Sequence, residues 1–83
     1  MDYLLQGTQT LMSYMNSLGL DNDNLRQRVA ASIGVPIIHF RSSGQSSASF
    51  QRKISESQAQ SLASLMGVSI ANLKTNGGLV QLP

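Results

Sequence analysis

Leu62-Ala63-Ser64-Leu65-Met66-Gly67-Val68-Ser69-Ile70-Ala71-Asn72-Leu73-Lys74 is the stretch on which the reading of the fold turns. Upstream, Ala59, Leu62, Ala63 and Met66 recur at helical spacing and make one apolar face. Gly67 then stands where a helix ends, because glycine takes positive φ without strain. Ser69 is a residue type that caps a helix N-terminus, its hydroxyl accepting a free backbone N–H. Leu73, six residues past the glycine, points back into the corner between the two helices. The spacing predicts a helix capped by Ser55 or Ser57 and running to Met66. It predicts a second, short helix from Ser69 to about Thr75, broken by Asn76-Gly77-Gly78.

The same arrangement occurs twice more: an apolar residue on each side of a glycine, another six residues on, then a base. The copies are Leu18-Gly19-Leu20 with Leu25-Arg26, and Ile33-Gly34-Val35 with Phe40-Arg41. The second and third copies also agree at Ala30/Ala63, Ile37/Ile70 and Gly44/Gly77. The local chemistry of a helix–glycine corner accounts for most of this recurrence.

Outward from these corners, residues 2–18 read as a helix striped by Leu4, Leu11 and Leu18, with Thr8 and Met15 between them and Leu5 and Met12 widening the stripe. Asp21 to Asn24 offer caps for a helix from Asn24 to Ile33. Pro36 forces Val35 out of the helical region. The β-branched and aromatic run Pro36 to Phe40 then reads as a strand, with Phe50 to Ile54 returning beside it. Between them, residues 42–49 are Ser-rich. Leu79 to Leu82 reads as a last strand. The prediction is an α+β fold, mostly helical, in the order ααββααβ with a small antiparallel sheet. An N-terminal helical pair (1–34) and a small α+β unit (35–83) would share one core.

The corner at Gly67 resembles the helix-turn-helix of DNA-binding regulators. That resemblance implies close helix packing at Ala63 and a recognition helix anchored by Leu73. Ser69, Asn72, Lys74 and Thr75 would then face DNA, with Arg41, Arg52 and Lys53 holding the backbone from a hairpin. The last 35 or so residues are also similar to LysM modules, which are βααβ units. That likeness implies a peptidoglycan- or chitin-binding module, or a structural part of a phage tail or baseplate. Two features depart from it. Ser55-Glu56-Ser57 stands where the family has a Gly-Asp-Thr turn, and the segment before the last strand is short and lacks Pro-Gly.

Composition narrows the function classes. The chain has 83 residues, 12% of them charged, and a net charge of +2. A typical globular protein carries about 25% charged residues. Six scattered bases make a poor phosphate-binding surface. With no Cys and one His, neither a disulfide framework nor a thiolate metal site is expected. His39, between Ile38 and Phe40, reads as structural or exposed. Asp21 and Asp23 read as caps, because no Gly and Glu follow at calcium-loop spacing. No phosphate loop is present.

We therefore expect a protein that is not an enzyme and has no cofactor, metal or catalytic residue. It would be a structural subunit of a larger assembly, such as a phage tail, baseplate or capsid, meeting other protein subunits through Leu4, Leu11, Met15 and Leu18. The alternatives are a helix-turn-helix DNA-binding regulator and, third, a peptidoglycan-binding LysM module. Synthesis in the cytoplasm without a signal peptide, no membrane span, and a possible place in a virion complete the expectation.

Overall fold

The computed structural model of the chain describes residues 1–40 and 51–83. Along the chain run β1 (Asp2–Leu5), α1 (Thr8–Ser17), α2 (Asp23–Ile33), a 3-10 turn (Ile37–Phe40), β2 (Arg52–Ser55), α3 (Glu56–Met66), α4 (Ile70–Asn76) and β3 (Leu79–Gln81). The α+β class, the helical majority and the small antiparallel sheet are as the sequence predicts.

Three helix starts and three helix ends follow directly from local chemistry. The Asn22 side chain accepts the Leu25 N–H at 3.3 Å and starts α2. Ser55 rather than Ser57 caps α3, in a reciprocal box with Gln58: Ser55 Oγ accepts the Gln58 N–H at 3.2 Å, and Ser55 N–H donates to Gln58 Oε1 at 2.9 Å. Ser69 Oγ accepts the Asn72 N–H at 3.1 Å and starts α4. Gly34 and Gly67 close α2 and α3 at φ of +68° and +69°. The amides of Val35 and Val68 then reach back to Ala30 and Ala63, each at 3.0 Å. Past the end of α1, Gly19 lies at φ +75°.

Two segments take a different form from the one predicted. Residues 2–5 are a strand, not the first turn of a helix. Gly7 interrupts the helical stripe, and an interior Gly costs about 1 kcal/mol relative to Ala. The segment instead gains main-chain partners on both sides, because β1 is the middle strand of the order β2-β1-β3. Tyr3 pairs with Ile54 and Gln81, and Leu5 with Arg52 and Leu79. The second difference lies at Ile37–Phe40, a 3-10 turn held by the His39 amide donating to Pro36 O at 3.1 Å. Proline's fixed φ suits the opening of a helical turn. The turn also carries Phe40 into the core, where it is fully buried. The expected hairpin of residues 36–40 with 50–54 is therefore not formed: β2 pairs with β1, and Phe50 lies outside the described residues.

All helices that touch the sheet do so on one side. Tyr3, Leu5, Ile54 and Leu79 point inward and are buried. They meet Leu11 and Met15 of α1, Val29, Ala30 and Ile33 of α2, Phe40, Leu62 of α3 and Leu73 of α4 in one cluster. This cluster draws on both the 1–34 and the 35–83 segments. β2–α3–α4–β3 has the strand-helix-helix-strand succession of the LysM resemblance. Its two strands lie on opposite edges of β1 rather than beside each other.

Candidate interaction surface

The four apolar residues expected to meet a partner separate. Leu11 and Met15 are fully buried and serve this chain's own core. Leu4 is half-buried on the outer face of the sheet. Leu18, just past the end of α1, is 41% exposed. Leu11 and Met15 are therefore intramolecular contacts, which removes these two from the expected partner surface.

The residues expected at nucleic acid separate as well. Ser69, Asn72, Lys74 and Thr75 lie on or next to α4, and all four are exposed. Ser69 is committed to its cap, and Thr75 Oγ1 donates to Ala71 O at 3.1 Å. Lys74 Nζ donates to Gln81 Oε1 of β3 at 3.3 Å. Arg52 and Lys53 belong to the opposite edge strand, β2, two strand spacings or about 10 Å away across β1. Arg52 Nε donates to Ile33 O at 3.2 Å, so its guanidinium completes the C-terminus of α2. Lys53 Nζ lies 3.3 Å from Asp2 Oδ2, on the outer sheet face. Arg41 lies outside the described residues.

The charges are unevenly placed. Asp21 and Asp23 pair with Arg26 at the start of α2, and Arg28 follows on the same helix. Asp2, Arg52 and Lys53 sit on β1 and β2, and Glu56 opens α3. By contrast, the twenty residues of α1, α4 and β3 hold one charge, Lys74. Of these three elements, α4 touches both α1 and β3. At Gly78, at φ +74°, an added Cβ would come within 3.3 Å of Thr10 Cβ, so α1 packs directly on the turn that leads from α4 to β3. The outward side chains of α1 and α4 include Gln9, Thr10, Ser13, Asn16, Ala71, Asn72, Thr75 and Asn76, while Val80 of β3, 38% exposed, pairs with Leu4 on the outer face of the sheet. The amides of Gln9, Asn16 and Asn76 have no hydrogen-bond partner among the described residues.

Sequence reasoning named α4 but missed this larger face. The signal was present in residues 8–17, which contain no charged residue at all. Elsewhere, His39 is half-buried in the 3-10 turn. Among the described residues, no three His, Asp or Glu side chains converge as a metal-binding group. No helix among them is long and apolar enough to cross a membrane. No family model matches the sequence, and neither a curated protein nor a solved structure matches it.

Proposed function

We propose that this chain is a non-enzymatic subunit of a larger protein assembly, and that the α1–α4–β3 face meets its protein neighbour. One observation carries the reading: of the twenty residues of α1, α4 and β3, the fifteen that are not buried include a single charge, Lys74. A small domain alone in water typically keeps about a quarter to a third of its surface charged. The centres of protein–protein interfaces are depleted of charge. Free amides and hydroxyls on this face would supply the hydrogen bonds, of which an interface carries about one per 100–200 Å².

The test is gel filtration of native lysate from the source organism. The chain, 8.9 kDa alone, is expected to elute in a much heavier complex. Ala71→Glu, on the exposed face of α4, should release it. Asn24→Glu, on the exposed start of α2, should not. Elution of the wild-type chain at its own mass overturns the reading.

A second reading is favoured by one feature, the corner at Gly67. Ser69 caps α4, Leu73 anchors it, and Asn72 and Lys74 face outward, an arrangement compatible with a helix laid in the major groove. Under that reading, mixed-sequence duplex DNA should bind in a polarisation assay, with affinity falling steeply as salt rises. Unchanged binding by Lys74→Ala would refute it.

A further inference from the structure

The geometry points to Asn76-Gly77 as a self-modification site, an asparagine whose deamidation is held back by the turn between α4 and β3. Asparagine is a chemically labile residue. Its loss of ammonia by cyclisation onto the backbone is fastest where glycine follows, because no Cβ crowds the attacking nitrogen. Asn-Gly occurs once in this chain. The reaction needs only this segment and one water. The Gly77 nitrogen gives up its proton and bonds to Asn76 Cγ; the Cγ–Nδ2 bond breaks, and Nδ2 takes up the proton and leaves as ammonia. Water then opens the five-membered imide at either carbonyl, leaving an aspartate or an isoaspartate at position 76.

The fold treats the two reacting groups differently. Asn76 is exposed, whereas Gly77 is buried, and the Gly77 N–H donates to Leu73 O at 2.8 Å. A base reaches that proton only after the bond breaks. Ring closure also needs the Gly77 nitrogen nearly eclipsed with Asn76 Cβ about the Cα–C bond. Asn76 is the last residue of α4, and a helical ψ of about −40° holds the nitrogen to one side. Beyond it, the Gln6 N–H donates to Gly78 O at 3.0 Å and ties the turn to the end of β1. Deamidation therefore waits for the end of α4 and the edge strand β3 to open locally. Its product would loosen the turn that delayed it. An isoaspartate lengthens the main chain by one carbon between α4 and β3, so Gly78 O no longer meets the Gln6 N–H while Leu79 to Gln81 keep their register on β1. Either product also adds a negative charge at the C-terminus of α4, where the helix dipole disfavours it.

The purified full chain, incubated at neutral pH with and without denaturing guanidinium chloride, tests this when position 76 is followed by peptide mapping and mass spectrometry. Product should form about tenfold or more slowly in the folded chain than in the denatured one. Ser69→Ala, which removes the cap of α4, should raise the folded rate about fivefold and leave the denatured rate unchanged. Hydrogen exchange of the isoaspartate form should find the Gln6 amide unprotected. Asn76→Asp, which carries the charge at normal chain length, should keep that protection. No product at position 76 in the denatured chain, or equal rates folded and denatured, overturns the inference. So does a folded rate indifferent to Ser69→Ala, or a Gln6 amide still protected in the isoaspartate form.

Discussion

Replacing Gly34 by Ala isolates what Arg52 contributes to the fold, because Gly67 provides a matched control. Both glycines close a helix at nearly the same backbone angles, φ of +68° and +69°. Ala at either site therefore carries the same left-handed strain, roughly 1–2 kcal/mol. The surroundings differ. A Cβ at Gly67 meets nothing within 4 Å, whereas a Cβ at Gly34 would lie 2.7 Å from Arg52 Nη2. That atom is the end of a flexible side chain, so the clash is relieved by swinging Arg52 away. The swing breaks the 3.2 Å bond from Arg52 Nε to Ile33 O. A net hydrogen bond is worth about 0.5–1.5 kcal/mol, and a cation at a helix C-terminus about 0.3–1. Gly34→Ala should therefore cost about 1–2 kcal/mol more than Gly67→Ala. For a domain of this size, each kcal/mol lowers Tm by about 4–8 °C.

Urea and thermal unfolding followed at 222 nm would measure the two single variants, Arg52→Ala, and Gly34→Ala with Arg52→Ala. Once Arg52 is gone, Gly34→Ala should cost no more than Gly67→Ala. Equal costs for the two glycines in the wild-type background would refute the argument. So would a double variant in which the excess cost at Gly34 persists.

Other outcomes follow from burial and capping. Met15→Ala should destabilise by about 2–5 kcal/mol, while Leu18→Ala should stay within about 0.5 kcal/mol; similar values by denaturant titration would contradict the assignment of the α1 stripe to the core. Ser55→Ala should cost about 1 kcal/mol through loss of its cap, and Ser57→Ala close to nothing; the reverse order in thermal melts would place the cap at Ser57.

Legibility in the sequence tracked how local the cause was. The starts of α3 and α4 were legible because a single Ser hydroxyl and an N–H three residues on determine them. The ends at Gly34 and Gly67 were legible because one residue type tolerates that φ. Residues 2–5 were misread because their partners lie about 50 and 77 positions away, on β2 and β3. Nothing within Asp-Tyr-Leu-Leu records that two edges wait for it. Its leucines fit the period of α1 by coincidence, and Gly7 was the local sign against continuity. Arg52 was misassigned for the same reason. It reads as a surface cation until the fold brings it to a carbonyl 19 residues earlier. For the surface, composition was a better guide than motif: low charge was visible at once, but its concentration on α1, α4 and β3 required the packing.

The two matched corners also show why one is followed by a seven-residue helix and the other by a 3-10 turn. At Gly34 and Gly67 the backbone angles, the returning Val amide and the buried anchor six residues on are the same. Among the differences is the residue two past the glycine. Ser69 supplies a hydroxyl that accepts the Asn72 N–H, and α4 runs on for 7 residues. Pro36 supplies a suitable φ but no side-chain acceptor, and the turn there spans 4 residues. Its outward position Ile38 is apolar and 48% exposed, at the register position of Ala71. The corner at Gly67 thus builds a polar, nearly neutral helical face beside α1 and β3. Its counterpart at Gly34 delivers Phe40 to the core.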